Sequence, residues 1–258
     1  MSDFDVSEQP GQSVRFQRAA IIFSLTGAGL FLGSAVLQFV ASLQRWVVFR
    51  SSLGPDGIMA EDHLYDYFFP YESMDPVGTI DAWEPVGTAA QLFGTGLLIQ
   101  VLGILAMAIG VVALPGAAPR HSAIRVITAV CEVMLATVVA AAFGIYGAHA
   151  LISGLAGAPS PLQPWVAIGW LGFAGLGALG ALWLSRSREA ALACVFLIGS
   201  SLAGYLIAAY LIAPVVAGYT SHDTTPWTET VVAASTAAAA VAMLLVARRA
   251  ARKGVRPV

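Results

Sequence analysis

An all-α polytopic membrane protein, built as a bundle of six transmembrane helices, is the architecture this chain encodes, and two observations carry that expectation. The first is composition: 58% of the 258 residues are hydrophobic, 11% are charged, and the mean hydropathy is +0.78. A chain of this size cannot hide so much apolar surface in one water-soluble core, so its solvent is lipid. The second is where the cations fall. Eleven of the thirteen Lys and Arg residues occupy four short stretches: Arg15 and Arg18; Arg120 and Arg125; Arg186 and Arg188; and Arg248, Arg249, Arg252, Lys253 and Arg256. Long apolar runs separate them. Cytoplasmic flanks collect Lys and Arg, so the four stretches share the inner side of a plasma membrane and both termini are expected to be cytoplasmic. The excess of Arg over Lys, with abundant Ala and Gly, suggests a GC-rich bacterial genome.

Residues 1–18, polar and acidic, read as a cytoplasmic tail. A helix crossing about 30 Å of hydrocarbon needs roughly 20 apolar residues, and six segments qualify: 19–42, 85–114, 124–153, 165–184, 190–216 and 230–247. The first exceeds the h-region of a secretory signal and reads as an uncleaved anchor. Residues 133–185 hold no Asp, Glu, Lys or Arg and are divided into two spans by the turn at Gly157, Pro159 and Pro161. Trp83, Trp165 and Trp227 stand where the chain turns back into the second, fourth and sixth spans; indole favours the headgroup layer, so these three are expected to share one outer plane. The domain from 19 to 247, with its outer loop 51–84, is followed by a basic cytoplasmic tail, 248–258, placed to meet anionic headgroups.

Apolar faces have no reason to prefer one another in lipid, so close contact between small residues must hold the helices together. Gly29 and Gly33 in the first span, and Gly96, Gly103 and Gly110 at seven-residue spacing in the second, are suited to this. Five glycines from Gly169 to Gly180 surround most of the fourth helix, which is therefore expected to sit centrally.

Candidate chemistry is sparse. Glu132 stands as the one acid well inside a span, about 10 Å along the helix from Arg125, and Arg125, Thr128, Glu132, Val139, Phe143 and Tyr146 fall on one face of the third helix. Buried acids in lipid are functional candidates by default. Gln91 and Gln100 of the second span are the other polar residues at depth. The loop 51–84 carries eight acids and, after residue 50, no Lys or Arg; over residues 61–71 acids alternate with a dense aromatic cluster, and Asp62 and Asp66 would share a helical face. His63, His149 and His222 fall toward the same side, where imidazole with carboxylate could hold Zn²⁺ or Cu²⁺. No recognised metal-ligand spacing, phosphate-cradling glycine loop or haem-attachment motif is present, so the metal and the cofactor stay unnamed.

Composition and charge exclude nucleic acid binding and leave the bilayer as one certain partner. The expected function is a non-enzymatic accessory or scaffold protein whose loop 51–84 docks a protein partner, because intramembrane polar groups look too few to line a route. The alternatives are a proton- or cation-coupled small-solute carrier with Glu132 as coupling acid, and a redox or metal-binding subunit using the histidines.

Overall fold

The computed structural model describes residues 10–49, 73–74, 80–81, 85–114, 122–221 and 224–253. Helix α1 spans Pro10–Leu43 and runs on into a π-helical turn, Gln44–Phe49. A two-residue antiparallel pairing joins β1 (Ser73–Met74) to β2 (Ile80–Asp81). Then follow α2 (Ala89–Val112), α3 (Ser122–Ala156), α4 (Val166–Trp183), α5 (Arg188–Ile198), α6 (Leu202–Ile207), a second π-helical turn (Ala208–Ile212), α7 (Ala213–Ala217) and α8 (Thr228–Lys253).

Five of these helices, α1 to α4 and α8, are long and apolar enough to cross a membrane, and α5 with α6–α7 is a further candidate in two pieces bent by 66°. The length and apolarity of these helices make the chain a multi-pass membrane protein. The bend corrects the expectation of one continuous helix over 190–216. Ser200 and Ser201 turn their hydroxyls back onto the carbonyls of Leu197 and Ile198, at 2.8 and 2.7 Å, and the amide of Gly204 donates to Ser201 Oγ. Serine thereby satisfies the backbone groups that a break exposes, which makes a break tolerable at membrane depth.

Neighbouring helices close a ring, α8–α1–α2–α3–α4–α5, with α5 packed back on α8. The glycine stripe of α2 works as its spacing predicts: a Cβ at Gly103 would strike the Phe31 ring, one at Gly96 would meet Ser34 and Gln38, and one at Gly110 would meet Ser24. Gly29 and Gly33, by contrast, face open space. Helix α4 is peripheral and not central, resting on α3, α5 and α6 and presenting Trp170, Leu171 and Leu182 outward. Small residues permit close approach without compelling it, which is why a glycine-rich circumference did not identify the middle of the bundle. Both ends of the chain extend the helices further than hydropathy indicates: α1 is already helical at Pro10, and Gln17 Nε2 donates to the Ala250 carbonyl at 2.9 Å, tying the start of α1 to the end of α8.

Gly103→Ala is expected to destabilise the protein by about 1–3 kcal/mol through overpacking against Phe31, whereas Gly29→Ala should be neutral or mildly stabilising, since alanine is the better helix former. Thermal melting of the two variants in the same detergent checks the contrast.

Candidate functional site

Ser34, Gln38 and Ser42 of α1 and Arg45 of the π-helical turn that continues it recur at spacings of four, four and three, which places them in a stripe along one side of an otherwise apolar helix. Glu229 and Thr236 of α8 are seven apart and share a face in the same way. The ring of helices turns the two stripes toward each other, and each of these six side chains is buried. At one end Arg45 Nη1 donates to Glu229 Oε1 at 3.1 Å, with both side chains 0% exposed. Trp46 Nε1 donates to the other carboxylate oxygen at 2.6 Å, and Tyr205 OH reaches Oε1 at 3.4 Å. The guanidinium carbon lies 4.8 Å from the centroid of the Trp46 ring, a cation–π contact inside a dry cluster. A carboxylate that deep is tolerable because it is paired and accepts several hydrogen bonds.

The column continues inward. Ser42 and Thr230 hydroxyls meet at 2.8 Å. Thr236 Oγ1 donates to Gln38 Oε1 at 3.0 Å, and Gln38 Nε2 donates to Ser34 Oγ and to Gln100 Oε1, at 3.2 and 3.3 Å. Gln100 Nε2 then donates to Ser200 Oγ at 2.6 Å, on the break between α5 and α6. From Arg45 to Ser34 is eleven residues of helix, about 16 Å or half the hydrocarbon thickness. A polar column therefore descends from one end of the bundle to the interrupted span at its middle. Beside that junction lies a small, partly open crevice, with room for about one water molecule, whose lining includes Leu97, Phe143, Tyr146, Gly169, Ser200 and Ser201.

Local backbone supports the upper end. Trp227, two residues before Glu229, has φ 74°, a left-handed conformation that costs a bulky residue of order 1–3 kcal/mol. Thr228 holds the turn by donating its hydroxyl to the Thr225 carbonyl at 2.7 Å.

The residues anticipated from the sequence are dispersed. Gln100 is central to the column. Tyr146 lines the crevice and donates to the Trp165 carbonyl at 3.4 Å. Gln91 lies elsewhere, donating to the Gly154 carbonyl at 2.9 Å and so tying α2 to α3. Glu132 sits toward the other end, accepting from Arg186 Nη1 at 2.7 Å and Trp183 Nε1 at 3.3 Å. Its face of α3 is buried as expected at Glu132, Val139, Phe143 and Tyr146; the side chain of Arg125 lies outside the described residues. His149 is a fully buried helical residue with neither ring nitrogen hydrogen-bonded. Asp62, His63, Asp66 and His222 lie outside the described residues. Among the described residues no three His, Cys, Asp or Glu side chains gather as a metal site. No protein-family model matches this sequence, and neither a curated protein nor a solved structure is significantly similar to it.

Arg45, Glu229, Gln38 and Ser200 were not singled out from the sequence, although the four-four-three spacing of the α1 stripe was a readable signal. Removing Glu229 alone takes an ion-pair partner from the buried Arg45 guanidinium and is expected to cost about 3–5 kcal/mol. A double-mutant cycle melting Arg45→Leu, Glu229→Leu and the paired variant in detergent should show the pair recovering much of either single loss.

Proposed function

We propose that this multi-pass protein is a carrier for small, uncharged polar solutes, with the buried polar column as its route and the junction at Gln100 and Ser200 as its binding point. The observation that carries this reading is the meeting of that column with an interrupted span at mid-depth. Polar side chains inside a bilayer are costly and tend to mark solute paths, and half-helices that end near the midplane recur at solute-binding points. The sequence alone favoured a scaffold because polar groups at depth looked too few. Eight buried polar side chains support a route instead: Ser34, Gln38, Ser42, Arg45, Gln100, Ser200, Glu229 and Thr236.

The class of solute follows from what the column offers. Its charges compensate each other, while its amides and hydroxyls can exchange partners with an incoming hydroxyl or amide at little cost. The cluster of Arg45, Trp46, Tyr205 and Glu229 is then the closed mouth. Leu179, Trp183 and Leu197, all fully buried, seal the opposite half, so passage requires α5 and α6 to move about their break. Glu132, clamped by Arg186 and Trp183, fastens α3 to the turn after α4 and takes no part in the route.

In this reading the bent pair counts as one span, giving six in a bacterial plasma membrane with both termini inside and loop 51–84 outside. A cysteine at position 66 should accordingly react with an impermeant maleimide in intact cells; protection until lysis would invert the orientation. The acidic, aromatic composition of that loop favours a second reading, an accessory subunit docking a protein partner, for which a co-purifying chain lost on deletion of residues 56–84 is the test.

Stopped-flow light scattering of proteoliposomes with glycerol, urea and erythritol tests the carrier. At least one solute should enter faster than in protein-free vesicles, Gln100→Leu should slow it about tenfold, and Glu132→Gln should leave it unchanged. Entry of all three solutes at the protein-free rate would sink the proposal.

A further inference from the structure

The end of the bundle opposite the Arg45–Glu229 cluster carries a second constellation. Three tethers gather four chain segments there: Gln17 to the Ala250 carbonyl, Arg249 to Glu189, and Arg186 to Glu132. The two described acids at this end, Glu132 and Glu189, are thereby already paired. Five further arginines, Arg15, Arg18, Arg188, Arg248 and Arg252, are exposed and come from α1, α5 and α8. They stand among exposed apolar side chains: Val14 and Phe16 on α1, Leu184 after α4, and Leu244 and Leu245 on α8.

We infer that this end is a docking surface for anionic phospholipid. Two requirements fix the occupant. The arginines demand a partner bearing phosphate, which a guanidinium grips through two parallel hydrogen bonds. The adjoining Phe16, Leu184 and Leu244 demand that the same partner bring hydrocarbon chains, because they flank the apolar length of the spans. A phospholipid with a net negative headgroup meets both, whereas a free anion meets the first alone and a zwitterionic lipid offers no net charge. Arginine on a long apolar stem is suited to this border, its methylenes lying in the acyl region and its head among phosphates. The inference is independent of the carrier proposal, since none of these residues touches the polar column.

Native mass spectrometry of the full chain in detergent, with equimolar phosphatidylglycerol and phosphatidylcholine, tests it. Phosphatidylglycerol adducts should exceed phosphatidylcholine adducts at least fivefold, about the factor one arginine near a charged surface supplies. The excess should fall toward parity in the variant R15Q/R18Q/R248Q/R252Q, whose substitutions are all exposed. The half-variants R15Q/R18Q and R248Q/R252Q, read separately, keep the test available if the fourfold variant does not fold, and each should lower the excess. Parity in the wild-type protein, or an undiminished excess in the variants, would overturn the inference.

Discussion

Helices in hydrocarbon gain nothing by turning one apolar face rather than another toward a neighbour, because the lipid offers each face an equally apolar surface. Something else must decide which helices meet and in what register, and here that role falls to the hydrogen-bonded column through α1, α2, α6 and α8. Gln38 is satisfied only where Thr236, Ser34 and Gln100 converge on it. Shifting α1 by one residue along its axis would turn Ser34, Gln38, Ser42 and Arg45 by about 100° away from those partners. Glycines then let the surfaces approach along the line that the polar contacts have chosen, as α2 does where Gly96 and Gly103 receive α1.

The Arg45–Glu229 pair illustrates how such a device is balanced. Taking both charges out of water is expensive, and Coulomb attraction repays it only if the remaining hydrogen-bonding capacity is also met. Trp46 and Tyr205 meet it on the carboxylate, and the Trp46 ring faces the guanidinium. Pairing of this kind contributes less to stability than to choice: it excludes arrangements in which either charge is left alone. The strained backbone at Trp227 is consistent with that view, because the turn holds an unfavourable conformation in order to present Glu229 at the right height.

Much of the fold was legible in the sequence because hydropathy and cation placement are local properties. The helical class, the turn at Gly157 and the receiving stripe of α2 could all be read from residues close together in the chain. What stayed hidden depends on partners far apart. Glu229 lay one residue outside the last expected span and so escaped notice as a buried acid, while Arg45 lay just beyond the first. The break after Ile198 was invisible because Gly199, Ser200 and Ser201 are compatible with an apolar helix, and it is at the two serines that hydroxyls fold back onto the preceding carbonyls. Glu132 was recognised as buried, but its bonds to Trp183 and Arg186 span more than fifty residues. Within the candidate site, Gln100 and Tyr146 were foreseen; the stripe on α1 was present in the spacing yet gained meaning only when α8 turned out to oppose it.

The unequal lengths of adjacent helices have a consequence for the surrounding bilayer. The candidate span on α3 is 31 residues long, against 18 for α4 beside it; at 1.5 Å per residue these are about 46 and 27 Å, on either side of a hydrocarbon thickness near 30 Å. Set upright in such a layer, α3 would reach past the acyl region, whereas α4 would fall slightly short of it. The perimeter of the bundle is thus mismatched in opposite senses within a few ångströms, at fractions of a kcal/mol per ångström. Membranes of different thickness will relieve one side while straining the other, making the preferred tilt of the whole bundle a property of its host membrane as much as of its own packing.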